Sequence, residues 1–287
     1  MISHSPFFQN FTLFLLLFLF FFSSCSHKYY APNDGEFLVL TKRNDLHVSQ
    51  SINGGNLTST STQLGFSPVK HLGLTGSFFK IKGERNNPSD NTFQRKGDGT
   101  IWNTAVGGYY PFLFDANNDV TSLFDESQQS GVLADIYFGY GKGEVNNYYE
   151  IGGSTHFKFD KKYVQLGAHL ILEKVNVGYQ FRLGRLNYSE GKILGQATSL
   201  TMESFNSLNE KNNFKIIEQA FQFSYGIRHF RIQFTSTGVV NNKNLNKLGI
   251  KRTNTTIGII LEIDEFFRKD KSIIIEKKRR SSDFKKM

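Results

Sequence analysis

The chain has 287 residues, a formal net charge of +9, a single cysteine and 15% aromatic residues. This length suits one all-β domain or a barrel and does not require two domains. One cysteine excludes an internal disulfide and a cysteine-based metal cluster. The mean hydropathy of -0.35 excludes a bundle of membrane helices, but it is compatible with a transmembrane barrel, whose lumen face is polar.

The chain begins with a segment typical of export. Residues 11–22 form an apolar run of about the length of a signal-peptide core, too short to span a bilayer comfortably. Ser23, Ser24 and Cys25 follow, and "FSSC" resembles a lipobox, the site where a bacterial lipoprotein is cleaved and acylated on cysteine. We therefore predict a lipoprotein signal peptide over 1–24 and a lipidated Cys25. The first ten residues lack the usual Lys or Arg, so a plain secretory signal or an N-terminal anchor helix stays open.

After Cys25, a tether is predicted over 25–45, and from about Leu46 the dominant period is two. Apolar and polar residues alternate for about ten residues at a time, with Gly, Asn, Asp and Lys between the runs. No stretch with the 3.6-residue period of a helix competes with this strand assignment. The predicted strands are 46–53, 58–69, 71–82, 100–113, 131–143, 157–173, 175–189, 215–226, 228–240 and 253–265.

The alternation gives each run one apolar face and one polar face. A soluble sandwich would bury the apolar face between sheets, whereas a membrane barrel turns it to lipid. Three features favour the barrel: mid-strand charged residues on the polar face, aromatic residues near the run ends, and short links alternating with long ones. We predict an all-β, antiparallel up-and-down transmembrane β-barrel of about ten strands over 46–267. The long link at 114–130 departs from the pattern, and a soluble sandwich is the alternative.

The even strand count places both ends of the barrel on one side of the membrane. A chain lipidated at the periplasmic face would enter there, cross ten times and end there. The predicted tail, 268–287, holds nine basic and three acidic residues, so it supplies +6 of the total +9. An exported protein seldom meets nucleic acid, so this tail is interpreted as a solvated end or one that touches anionic lipid.

Several stretches resemble a group of uncharacterised Bacteroidota outer-membrane β-barrel lipoproteins. The stretches are "SSCSHKYYAPN", "STQLGFSPVKHLGLTGSFFKIKG", "WNTAVGGYYPF" and "DIYFGYGKGEV". The resemblance implies a lipid-anchored barrel in the bacterial outer membrane. It implies no activity, because none is assigned to that group.

Motifs that would carry chemistry are weak in this chain. "GYGKGE" lacks the spacing of a phosphate-binding loop; its glycines at 139, 141 and 143 instead give room for large neighbours such as Tyr137. No pair of His, Asp or Glu has the spacing of metal ligands on a strand. We therefore predict no metal, no cofactor and no enzymatic activity.

The polar faces of adjacent strands predict a hydrogen-bonded network in the lumen. In a ten-strand barrel the lumen is narrow, so these groups should plug it, although they could also line a small-solute pore. A buried cation needs a partner, and we expect Glu262, or else Asp135 or Glu173, to neutralise Arg182 or Arg231. The predicted network comprises Gln165, His169, Gln180, Arg182, Gln222, Arg231, Gln233 and Glu262.

These features together predict a non-enzymatic, lipid-anchored barrel of the outer membrane with an envelope-structural or surface-binding role. A narrow channel and a soluble surface or periplasmic lipoprotein are the alternatives. The expected partners are outer-membrane lipid and the barrel-assembly and lipoprotein-export machineries, with no nucleic acid.

Overall fold

The structure is a computed structural model. It describes residues 30–35, 38–53, 57–84, 94–113, 131–149, 153–172, 174–195, 199–210, 212–227, 230–240 and 253–263. The predicted signal peptide, Cys25 and the basic tail lie outside these residues.

Ten strands and one helix make up the described chain. Alternating apolar and polar residues form the strands because each strand has one face toward the barrel interior and one toward the outside. The strands are β1 Leu46–Asn53, β2 Leu57–Val69, β3 Leu72–Glu84, β4 Gln94–Leu113, β5 Gly131–Tyr149, β6 Ser154–Ile171, β7 Val175–Leu194, β8 Asn213–Ile227, β9 Phe230–Val239 and β10 Thr253–Glu262. The helix, α1, is Ser199–Glu210.

The strands form one closed barrel in which each strand pairs antiparallel with its neighbours in sequence, and β10 returns to β1. The closing pair runs from His47 opposite Glu262 to Ile52 opposite Ile257. Closure leaves no sheet edge, which is the condition for strands to cross a bilayer. The predicted ten-strand antiparallel barrel is confirmed, and a two-sheet sandwich is excluded.

The outer surface carries an apolar belt that is interrupted by Gln50 of β1 and Thr62 of β2. On β7 the outward side chains run from Val175 to Leu183, about 26 Å along the strand. Similar stretches lie on every neighbouring strand, with large apolar side chains a third to two thirds exposed, among them Phe138, Leu166 and Ile232. Exposed apolar area of this extent, arranged as a band around a closed barrel, is the surface of a transmembrane barrel.

The two ends of the barrel differ. At the end where β1 begins, three of the links are short, at 70–71, 172–174 and 228–229. We label it the periplasmic end, because outer-membrane barrels have their short turns on that side. The other end is called the outer end. There, β4 to β7 extend far beyond the belt, and each begins or ends several residues beyond its predicted bound. Helix α1 lies in the link at 190–214 between two predicted strands. The sequence did not predict it, because the helix has only 12 residues and few of them are apolar. Among the described residues, no helix is long and apolar enough to cross a membrane.

The segment before β1 lies inside the barrel. Described residues 30–35 and 38–40 are all buried, and their partners lie on β1, β2, β6, β7, β8 and β10. Strands on opposite sides of a barrel share a partner only in the lumen. This segment belongs to the predicted tether, and in the structure it forms an internal plug, defined here as residues 30–35 and 38–40. A turn at 41–45 leads from the plug into β1 at the periplasmic end.

The interior has three layers. Toward the outer end, apolar side chains of β3 to β8 form a cluster that Phe205 and Leu208 of α1 complete, with the rings of Phe157 and Phe205 5.0 Å apart. Buried polar groups fill the middle. At the periplasmic end, Val39 and Leu40 of the plug pack on Tyr109 and Leu133.

Candidate functional site in the barrel interior

Two cations and one carboxylate meet in the middle layer. Lys161 on β6, Arg182 on β7 and Glu218 on β8 are 0%, 3% and 1% exposed. Glu218 Oε2 accepts from Lys161 Nζ at 2.7 Å and from Arg182 Nη1 at 3.1 Å. The strand register explains the meeting, because Arg182 is directly opposite Glu218 on β8 and opposite Gln165 on β6. Gln165 Oε1 accepts from Arg182 Nη2 at 2.9 Å, so this row of the barrel wall is internally bonded.

The plug completes this cluster. Tyr30 donates its hydroxyl hydrogen to Glu218 Oε1 and accepts from Lys161 Nζ at 2.7 Å. Asn33 Oδ1 accepts from Arg182 Nη1 at 3.1 Å and from Lys161 Nζ at 3.3 Å. All three Lys161 N–H donors are therefore used. A buried charge is tolerated only when it is paired and fully hydrogen-bonded, so the cluster requires the plug as well as the barrel wall.

Asp34 fixes the plug to the strands that close the barrel. Its carboxylate accepts from Ser51 on β1, from Thr256 Oγ1 on β10 at 3.0 Å and from Asn254 Nδ2 on β10 at 3.2 Å. Asp34 is 1% exposed. Hydrogen bonds to a charged acceptor are stronger than those between neutral groups, so Asp34 links the plug firmly to the β1–β10 seam.

An aromatic platform supports the two cations. The Tyr163 ring lies under both, with its centroid 4.7 Å from Arg182 Cζ and 5.3 Å from Lys161 Nζ. The ring occupies space that a glycine leaves free, because a Cβ on Gly139 would stand 2.0 Å from Tyr163 Cζ. The sequence-based interpretation of the "GYGKGE" glycines as space for large neighbours agrees with this packing, although the neighbour is Tyr163 rather than Tyr137 at this position.

Gly139→Ala should therefore displace Tyr163 and destabilise the cluster. We expect the free energy of unfolding to fall by about 1–3 kcal/mol, the usual cost of overpacking a filled interior. Gly76→Ala is the matched control, since the nearest atom to a Cβ there is 3.9 Å away. Denaturant titration of both variants in lipid vesicles measures the difference, and equal stabilities would contradict the packing argument.

The structure places most of the predicted lumen residues in the interior. His169 Nε2 lies 2.7 Å from Asp135 Oδ2, and Gln222 Nε2 donates to Gln233 Oε1 at 2.7 Å. The buried residues of the set, each under 9% exposed, are Gln165, His169, Gln180, Arg182, Gln222, Arg231 and Gln233. Glu262 is partly exposed at the periplasmic end of β10, opposite His47.

The carboxylate that neutralises Arg182 is Glu218, which the sequence analysis did not name, whereas the expected carboxylate Glu262 interacts electrostatically with Arg231. The expectation ranked candidate carboxylates by their position along the chain, and it passed over Glu218. A signal for both missing residues was present: Lys161 is four residues before Gln165, and Glu218 is four residues before Gln222, so each shares the interior face of its strand. The plug residues Tyr30 and Asn33 had no such signal, because no periodic pattern covers them.

Asp45 holds the turn between the plug and β1. It accepts from the Thr41 N–H at 2.7 Å, and its Oδ1 lies 3.0 Å from His47 Nε2. Burial by itself would raise the pKa of Asp45, but the charge of His47 and these hydrogen bonds outweigh it and lower the pKa to about 2.

This lowered pKa predicts an acid-labile turn. The stabilisation by ionised Asp45, about 2 kcal/mol, is complete above its unfolded-state pKa and is lost as the pH falls from about 4 through 2. Asp45→Asn should remove that part of the pH dependence. Unfolding free energies of both chains between pH 2 and 6 test this, and parallel curves would contradict it.

The fold and interior together define a class: a closed, internally plugged β-barrel with an apolar outer belt. Within the described ranges, no three His, Cys, Asp or Glu side chains form a group that could hold a metal ion. No protein family and no curated protein matches the chain. Among solved structures, CdiB from Acinetobacter baumannii is similar at 9% identity and a TM-score of 0.19, covering 76% of this chain. The chain spans 59% of the CdiB chain.

Proposed function

We propose that this protein is an outer-membrane barrel closed by its own plug, with a scaffolding or surface-binding role and no catalytic activity. The observation that carries the proposal is the placement of Tyr30 and Asn33 in the cluster of Lys161, Arg182 and Glu218. A plug that satisfies buried charges is part of the folded barrel and not a loose filler. The apolar belt supports the membrane location, and the long strands and α1 at the outer end offer the surface for a binding role.

Electrical recordings test the closed state. In planar bilayers, the wild-type chain should give no steady conductance after insertion. The heat-modifiable band on gels verifies independently that the inserted barrel is folded. Deletion of residues 30–40 should give conducting barrels if they still fold. A wild-type chain that conducts steadily would contradict the proposal and establish the channel alternative.

A narrow channel is the second candidate, and one observation favours it. On the β7 to β9 side of the lumen, Asn176, Ser224, Arg231 and Thr237 have buried side-chain atoms that lack a hydrogen-bond partner among the described residues. Buried polar groups of this kind are normally satisfied by water. A hydrated strip there could pass small solutes beside the plug, and the same recordings distinguish it from a sealed barrel.

The lipid anchor at Cys25 remains part of the proposal, as does handling by the lipoprotein-export and barrel-assembly machineries. Cys25→Ser should abolish acyl labelling and leave a larger precursor. A wild-type chain that takes no acyl label would refute the anchor and leave the barrel proposal intact.

The plug restricts where such an anchor could reach. Tyr30 lies beside Phe159 and Lys161, with the Tyr30 and Phe159 rings 5.8 Å apart. From Lys161 to the periplasmic end of β6 at Ile171 is about 33 Å along the strand. Cys25 precedes Tyr30 by five residues, which span at most about 17 Å. A lipid on Cys25 therefore could not reach the periplasmic end of the barrel while the plug is in place.

A further inference from the structure

Three cations lie side by side on the outer surface of the barrel. Lys162 on β6 is directly opposite Arg185 on β7, and Arg185 is directly opposite Lys215 on β8. All three are exposed and face outward. Tyr140 on β5 is opposite Lys162 and extends the same row. These three cations are called the cation row below.

The three cations of the row repel one another. Like charges directly opposite each other on neighbouring strands destabilise a sheet. The nearest outward carboxylate on these strands is Asp160, one step toward the outer end, and it accepts from the Tyr140 hydroxyl at 2.9 Å. Arg185 donates Nε–H to the side-chain oxygen of Asn213. Positive charge is thus concentrated in the row, since none of its directly opposed positions on β5 to β8 is a carboxylate.

The cation row marks the outer edge of the apolar belt. The next outward positions toward the periplasmic end are Val164, Leu183 and Ile217, which are also opposite one another. One such step along a strand is about 7 Å. A charge placed at this boundary lies at the depth of lipid headgroups, whereas the belt below it contacts acyl chains.

We propose that the cation row binds the phosphate groups of an anionic lipid in the outer leaflet. The guanidinium of Arg185 can engage a phosphate through two parallel hydrogen bonds, and the flanking lysines add two point charges. The apolar side chains beneath the row would contact the acyl chains of the same lipid. This inference rests on the proposed outer-membrane location.

The test uses vesicles of phosphatidylcholine that contain increasing fractions of lipid A with two phosphates. Trp102, the only tryptophan, lies 6.3 Å from Tyr140 between ring centroids and reports on this face. We expect a saturable change in its emission with phosphorylated lipid A and none with the dephosphorylated form. Combined Lys162→Gln, Arg185→Gln and Lys215→Gln should raise the half-saturating fraction at least about 10-fold, because each cation contributes to headgroup binding.

The matched control removes three other exposed lysines of the same surface that lie further from the belt, by Lys82→Gln, Lys96→Gln and Lys192→Gln. It should change the half-saturating fraction by no more than about two-fold, as expected for peripheral, screened charges. If the triple variant of the cation row fails to fold, Arg185→Gln alone should still raise the half-saturating fraction about three-fold or more. Unchanged binding by the row variant, an equal loss in the control, or equal saturation by dephosphorylated lipid A would each overturn the inference.

Flotation with the vesicles separates this inference from the proposed function. A chain that does not float with vesicles contradicts the membrane location itself. A chain that floats and shows the heat-modifiable band, but does not distinguish the two forms of lipid A, contradicts only the phosphate site.

Discussion

Replacing Glu218 by glutamine is expected to lower the free energy of unfolding by about 3–5 kcal/mol. Glu218 is the carboxylate that contacts both Lys161 and Arg182, and all three side chains are under 5% exposed. Glutamine keeps the shape but leaves two buried cations without a compensating charge. Urea unfolding in lipid vesicles, followed by Trp102 fluorescence, measures the change.

Two controls make this result specific. Glu144→Gln makes the same chemical change at an exposed, outward position of β5 and should cost no more than about 1 kcal/mol. Adding Lys161→Met to Glu218→Gln should recover part of the lost stability, because one of the unpaired cations is then removed. A cost for Glu218→Gln as small as that of Glu144→Gln would indicate a water-filled lumen and remove the main support for a sealed barrel.

Replacing Asp34 by asparagine is expected both to destabilise the protein and to open it. Three donors on β1 and β10 converge on this carboxylate, and the amide of asparagine would direct N–H groups at some of them. We expect a loss of about 3 kcal/mol, since hydrogen bonds to charged groups contribute roughly 1.5–3 kcal/mol each and part is retained.

The functional readout for Asp34→Asn is conductance. With the plug released from the β1–β10 seam, channel openings should appear in bilayers where the wild-type chain is silent. Asp98→Asn is the control, because Asp98 accepts from Asn146 at 2.8 Å on the outer surface and does not touch the plug. A silent Asp34→Asn barrel of wild-type stability would show that the plug is held by other contacts or does not control the lumen.

The alternation of apolar and polar residues was sufficient to predict the barrel. Strand period, link lengths and run ends are local properties, so they placed ten strands close to their observed bounds. The outer extensions of β4 to β7 were underestimated, because beyond the belt their outward residues are polar, as at Lys96, Glu144 and Lys192, and the two-residue alternation of apolar and polar residues weakens. Helix α1 was not predicted for a similar reason, because few of its residues are apolar and its buried contacts come mainly from Phe205 and Leu208.

The interior was predictable by face but not by partner. Parity along each strand assigns Gln165, Arg182 and Gln222 to the lumen, because side chains of a strand alternate sides. Which of them meet depends on the register between paired strands, which the parity along one strand does not determine. That register sets Arg182 opposite Glu218, and the sequence of either strand by itself does not determine this pairing.

The sequence alone determined the strand pattern, the outward apolar belt and the inward polar faces, because these follow from the two-residue period of each strand. Only the tertiary structure decided that the plug lies in the lumen. Its nine described residues form no periodic pattern, and Asp34 is held by partners on β1 and β10, which become neighbours only when the barrel closes. The plug is therefore a property of the closed barrel, since the lumen it occupies and the β1–β10 seam that holds Asp34 exist only after closure.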